Sequence, residues 1–295
     1  LHYPLRRQRQ MCIRDSACVD QSRYAVHVAD CAAWAARRID APLELLHVID
    51  SHPERATDDD HSGAIGIDAQ ESLLAHLSAE DEAHAKSARE QGRLFLNRLR
   101  ERAILAGAAR VDVRQRHGSL EDTLIEQAQG LRLLALGRRG KGARTHENEL
   151  GHHVENIIRA LKLPILTVSE EFKPPERVMI AFDGGTAIRR GMEMLSSSPL
   201  LRGLPIRILM SGNQFGGQAK SLEWAKQTLS RASSEVTASL VPGDAGAVVE
   251  KAVKEQEIDL LIMGAFSHSP LRALLFGSKT AELLRSSHIP ILLLR

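Results

Sequence analysis

Residues 260–295 read LLIMGAFSHSPLRALLFGSKTAELLRSSHIPILLLR, and the fold turns on how they are parsed. Leu260, Leu261, Ile262 and Met263 form an unbroken apolar run that stops at Gly264. After Gly264-Ala265-Phe266-Ser267 and nine further residues, Gly277-Ser278-Lys279-Thr280 opens a helical pattern over 278–285, and a second apolar run spans 289–294. Strand, glycine turn, helix and strand in that order describe parallel-sheet units, and strands apolar on both sides need helices above and below them. A glycine directly before a helix also lets backbone N–H groups close on an anion, which the helix dipole favours.

The same grammar stands earlier in the chain. Residues 134–168 read LALGRRGKGARTHENELGHHVENIIRALKLPILTV, with Gly137-Arg138-Arg139-Gly140, ten residues, and then Gly151-His152-His153. Further landmarks pair across the chain: Asp20 with Asp183 and Pro42 with Pro205 at an offset of 163, Gly118 with Gly243 at 125, Gly137 with Gly264 at 127, Gly151 with Gly277 and Pro164 with Pro290 at 126. A unit used twice in one order accounts for this. The drop in offset puts about 37 extra residues between Asp50 and Val111 of the first copy, the polar stretch 51–61 among them. Copy one is expected to have strands at 17–19, 43–49, 111–116, 131–136 and 164–168, with helices at 24–39, 79–106, 120–129 and 153–161. Copy two is expected to have strands at 178–182, 206–210, 236–241, 260–263 and 289–294, with helices at 187–196, 219–233, 245–256 and 278–285.

An acid after strand one, G-x2-G after strand four, a nine- or ten-residue loop and Gly-Ser before the last helix resemble the universal stress protein family. The resemblance runs from about Ala17 to Arg295. It implies an α/β chain of two tandem doubly wound domains, each a five-stranded parallel sheet of order 3-2-1-4-5 with helices on both faces. The expected domains are 17–168 and 177–295, joined by 169–176, where Lys173-Pro174-Pro175 stops both helix and ladder. The first sixteen residues, LHYPLRRQRQMCIRDS, are set apart as a non-native tail, because 11–16 resembles the translation of an adapter used in sequencing libraries. The native start would then be missing, and Asp15 and Ser16 would fall where copy two has Val178 and Met179, a costly place for a carboxylate without a partner.

The resemblance carries site roles residue by residue. Asp20 and Asp183 match the acid that approaches the adenosine, and Val48 matches the strand-two residue whose backbone meets adenine. Gly137, Gly140 and Gly151 match the phosphate loop of copy one, with His152 where the motif has Ser or Thr. Met263, Gly264, Gly277, Ser278 and Lys279 belong to the corresponding loop of copy two, with Ser267 where the motif has its second glycine. The implied ligand is an adenine nucleotide, ATP among them, with magnesium accompanying it. Binding would order 138–150 or 266–276 and so change a surface offered to a protein partner. The family also pairs domains through their last strands, so 165–168 and 291–294 are expected to meet within one chain, and a homo-oligomer is a further expectation.

Composition narrows the rest. The 295 residues hold 39 Lys and Arg against 37 Asp and Glu, a net charge of +2, so no bulk field points to nucleic acid. Aromatics make up 3% against 43% hydrophobic residues, which suits an aliphatic core and not a base-stacking surface. Cys12, Cys18 and Cys31 have neither zinc-ligand nor disulfide-framework spacing, and no run of about 18 apolar residues occurs, so a cytoplasmic protein without membrane spans is expected. No glycine stands five positions before Gly140 or Gly277, which excludes a P-loop, and no G-x-S-x-G nucleophile signature is present. The expected function is a nucleotide-responsive stress-response module without dedicated catalysis. The alternatives are a slow ATP hydrolase or nucleotidyl-transfer enzyme on the same sheet, and a structural pair with both sites degenerate.

Overall fold

A computed structural model describes residues 13–49, 67–139, 152–169, 171–212, 217–265, 283–284 and 287–295, with the backbone alone for 67–81, 84 and 152. The first half runs β1 (Arg14–Cys18), α1 (Ala25–Ile39), β2 (Leu43–Ile49), α2 (Ile67–Leu105), β3 (Val111–His117), α3 (Leu120–Gln127), β4 (Leu131–Gly137), α4 (His152–Ala160) and β5 (Ile165–Val168). The second runs β6 (Val178–Ala181), α5 (Thr186–Ser197), β7 (Ile206–Ser211), α6 (Gln218–Leu229), β8 (Val236–Val241), α7 (Ala245–Glu255), β9 (Leu260–Gly264) and β10 (Ile291–Leu294).

The strands form one ten-stranded sheet in the order β3-β2-β1-β4-β5-β10-β9-β6-β7-β8. Pairing is parallel within each half, and the two halves meet where β10 runs antiparallel to β5, with Leu292 opposite Leu166. Apolar side chains leave this sheet on both faces. One core cluster joins α1, α2, α5 and α6 to Ala17, Leu45, Ile180, Ile208 and Leu292; the other joins α3, α4 and α7 to Leu46, Leu134, Ile165, Leu261 and Leu293. Both clusters draw residues from both halves, so the hydrophobic interior is continuous across the junction.

Two elements differ from the sequence expectation. α2 begins at Ile67, twelve residues before the expected Ala79, and spans 39 residues. No glycine or proline interrupts residues 67–91, which are rich in Ala, Leu, Glu and Gln, so helix propensity continues where amphipathic periodicity is weak. At 1.5 Å per residue the helix is about 58 Å long, and it occupies the interval between strands two and three that α6 fills with 12 residues in the other half.

The other difference is β1, which starts at Arg14 and not at Ala17. Asp15, Ser16 and Ala17 lie opposite Leu43, Glu44 and Leu45, the places that Val178, Met179 and Ile180 take opposite Ile206, Arg207 and Ile208. Residues set apart as a tail are therefore built into the sheet. Asp15 is 2% exposed, and Arg132 donates to it from Nε at 3.1 Å and from Nη2 at 3.4 Å. Burial raises the Asp15 carboxyl above its ordinary value, against the opposing pull of Arg132. Glu44 on the opposite face is also 2% exposed, with Arg114 at 2.9 Å and Arg14 at 3.5 Å. The Ser16 hydroxyl is buried with no hydrogen-bond partner among the described residues.

Candidate functional site

In each half the strand order reverses between strands one and four, and ligands of open α/β sheets bind outside the carboxyl ends of such strands. Cys18 lies opposite Leu136 and Ala181 opposite Met263, so the chain leaves the sheet beside Gly137 in one half and beside Gly264 in the other. Asp20 and Asp183 each follow their strand by two residues. An acid and a strand-four glycine thus emerge side by side twice.

The two acids are engaged differently. Asp20 is half-buried, and its Oδ1 accepts from the Ser22 backbone N–H at 3.2 Å and from the Ser22 hydroxyl. Asp183 is exposed, and its Oδ1 accepts from the Gly185 N–H at 2.8 Å in a turn that places Gly184 at φ 76°. That φ lies in the left-handed region, where a glycine carries no steric cost. Arg189, one turn into α5, holds the same turn from behind: its Nε donates to the Gly184 carbonyl at 2.9 Å and its Nη2 to the Ser221 hydroxyl at 2.8 Å. Its guanidinium lies 4.5 Å from the centre of the Trp224 ring, which stacks against Phe182 at 6.3 Å. Sequence reading missed Arg189 and Trp224; the signal available was one of only two tryptophans falling in the helix that follows strand two.

Helix starts supply the other half of the geometry. α1 and α5, which begin at the two sites, have no side-chain cap, whereas α3 is capped by Ser119 and α7 by Asp244. The first N–H groups of an uncapped helix have no intrahelical acceptor and favour an anion. Ser211, in the second-half position equivalent to Val48, donates its hydroxyl to the Gly243 carbonyl at 2.6 Å and ties the ends of β7 and β8 together. Val48 is half-buried against the core, and the Met263 side chain is buried at 7%, so toward a ligand Met263 has only its backbone to offer.

Gly137 and Gly264 have a packing reason of their own. A Cβ at Gly264 would stand 3.3 Å from Cβ of Ile188 and 3.5 Å from its backbone N, and one at Gly137 would stand 3.1 Å from the Arg139 carbonyl oxygen. Both glycines let the helix after strand one approach the end of strand four. Gly140, Gly151, Ser267, Gly277, Ser278 and Lys279 lie outside the described residues, and His152 is described only as the first backbone position of α4. The neighbouring His153 faces Glu121, 3.2 Å from its Oε1.

Arg138 stands in sequence with Arg139, Lys141 and Arg144, a basic cluster that reads equally as phosphate-neutralising or as keeping the loop soluble; it is 6% exposed and turned toward the other half. It donates to the backbone carbonyls of Ser287 and Ile289 in the other half, and its Nε lies 3.5 Å from the Thr167 hydroxyl. Burial, with Arg139 nearby, pushes its pKa down to about 9, which leaves it charged at neutral pH. In a reciprocal arrangement, Arg295 of the second half donates to the carbonyls of Arg159 and Leu161 at the end of α4. Arg295 thus meets the carbonyl end of α4, where a cation is favoured, and Arg138 ties down the segment that leads into β10.

Comparison with known proteins places this architecture. The model of the universal stress protein family matches residues 17–169 and 204–295. A universal stress protein of Synechocystis sp., Slr1230, is 31% identical over 281 residues, covering 94% of this chain and 98% of that protein. Among solved structures, a universal stress protein from Archaeoglobus fulgidus superposes with a TM-score of 0.70 at 15% identity, covering 95% of this chain and 97% of its own. One from Pseudomonas aeruginosa gives 0.53 at 16% identity, covering 96% and 94%. The two matched segments, the repeated strand order and the full-length relative together establish that the chain belongs to the universal stress protein family as a tandem, two-copy member.

Proposed function

We propose that the protein is a stress-response module that binds an adenine nucleotide at the strand carboxyl ends, primarily in its second half, and has no dedicated catalytic constellation. The observation that carries this reading is the contrast between the acids: Asp183 is exposed and accepts from a backbone N–H, while Asp20 is half-buried and accepts from the Ser22 hydroxyl as well as its N–H. The Asp183 carboxylate fits a ribose hydroxyl, and the free N–H groups at the start of α5 fit a phosphate, with magnesium accompanying the phosphates. Arg189 is then a positioning residue that fixes the Asp183 turn. Association of further copies and a protein partner that reads the bound state belong to the same proposal.

Calorimetry with ATP and AMP tests it. Asp183→Ala is expected to weaken binding by about tenfold or more, the worth of a charge-assisted hydrogen bond, while Asp20→Ala changes it by less than about threefold. Gly277→Trp, which fills the phosphate loop, is expected to abolish it. The packing contacts of Gly137 and Gly264 favour a second reading, a structural pair that uses neither site. Absence of heat at millimolar nucleotide leaves only that reading. Magnesium-dependent turnover abolished by one substitution would show a dedicated catalytic group and overturn the non-catalytic assignment.

A further inference from the structure

The two outer edges of the sheet are built on the same plan but differ in chemistry. In the second half, the end of β8 presents Leu240 and then Pro242. In the first, the matching positions of β3 are Gln115 and His117, and the opposing face of α2 presents Lys86, Arg89 and Arg93. These five residues and Glu90 line a cleft between α2 and β3. The one acid among its described lining residues is already paired, because Arg93 donates to both Glu90 oxygens, at 3.0 and 2.7 Å. Lys86 and Arg89 have no carboxylate partner among the described residues. Arg89 leans on His117, donating from Nε to Nε2 at 3.2 Å, which leaves the imidazole proton on Nδ1 as a further donor.

Gln115 completes the set. Its side-chain Nε2 is buried and has no hydrogen-bond partner among the described residues, and its amide presses so closely on Gly92 that a Cβ there would stand 2.4 Å away. An orphaned buried donor is costly unless something accepts from it. The cleft therefore collects an ammonium, a guanidinium fork, an amide and an imidazole N–H, with an uncompensated charge of about two among the described residues.

From this donor set we infer that the α2–β3 cleft is a second ligand site, for a small phosphate-monoester dianion, separate from the nucleotide rim. A phosphate group offers three acceptor oxygens and two negative charges to donors arriving from two elements, whereas a carboxylate matches only the Arg89 fork. The extra length of the first copy has a use in this reading: α2 carries all three cations of the lining, Lys86, Arg89 and Arg93, whereas α6 begins only at Gln218.

Titration with inorganic phosphate and phenyl phosphate, against acetate and chloride at matched ionic strength, tests the inference by calorimetry and by the Gln115 side-chain amide resonance. Saturable binding of both phosphates, at least about tenfold tighter than acetate, is expected, with the Gln115 resonance shifting in step. Arg89→Gln and Lys86→Gln, both exposed and without structural burden, should each weaken it about tenfold. Gln115→Leu, which installs the second half's residue, should weaken binding without lowering the unfolding midpoint. Gly277→Trp should leave it intact. No preference over acetate, binding indifferent to Arg89→Gln, or binding lost only in Gly277→Trp would each overturn the assignment, the last by tracing the phosphate to the nucleotide rim.

Discussion

Asp15 sets the sharpest problem for a single side chain. A carboxylate at 2% exposure in the first strand of a sheet has, among the described residues, Arg132 as its one cationic partner, whose own side chain is 39% exposed. Its pKa is raised, so the folded state binds a proton more readily than the unfolded chain. Stability from this group is therefore greatest at acid pH and falls as pH rises from the ordinary carboxylate value through the raised one. Asp15→Val, which copies Val178, removes the buried charge and leaves Arg132 free to re-enter water. It should stabilise the protein by about 1 kcal/mol or more at neutral pH and flatten that acid-side dependence. Urea midpoints of the two proteins at pH 4 and pH 7.5 check this; a lower midpoint for Asp15→Val at pH 7.5 would show that the ion pair outweighs its desolvation. Ser16→Ala, which deletes an orphaned buried hydroxyl, should move the midpoint in the same direction.

At the scale of elements, helix α5 lies directly on β10, with an added Cβ at Gly191 standing 2.5 Å from Cδ1 and 2.7 Å from Cβ of Leu294. A Gly→Ala change inside a helix gains about 1 kcal/mol of propensity, but overpacking costs about 1–3 kcal/mol when the neighbour cannot move. Leu294 cannot, since its Cβ is fixed to a strand paired with β9. Gly191→Ala should therefore destabilise despite its propensity, and Gly191→Val more so, as thermal unfolding would show. The same contrast explains what the sequence disclosed. Strands such as Leu260–Gly264 were legible because burial on both faces demands unbroken apolar runs. The start of α2 was not, because propensity without periodicity looks like a loop. At the sheet's carboxyl ends, repeated offsets were enough to pick out Asp20 with Gly137 and Asp183 with Gly264 as residues that leave the sheet side by side. The place of Arg138 could not be read this way, because nothing local distinguishes a guanidinium aimed at phosphate from one buried against another half's carbonyls.

For the whole molecule the decisive question is whether two copies behave as one body. β5 and β10 pair across the middle, both core clusters cross that seam, and Arg138 and Arg295 each reach into the opposite half. Unfolding either half would strip Leu166 and Leu292 of their cover and leave both arginines' acceptors unpaired, so the free energy of the seam should couple the halves. The chain supplies its own reporters, for its two tryptophans fall one in each half: Trp34, tilted against Phe172, and Trp224, stacked on Phe182. Urea transitions of Trp34→Phe and Trp224→Phe, each followed by the remaining indole, should coincide within about 0.3 M with equal slopes. Adding Arg138→Ala and Arg295→Ala removes charged donors worth about 1.5–3 kcal/mol each and leaves carbonyls orphaned. In that background the two transitions should separate while each stays cooperative. Transitions already separate with the arginines in place would mean that the continuous sheet is two independent bodies in contact, and the arginine exchange would then have no energetic role.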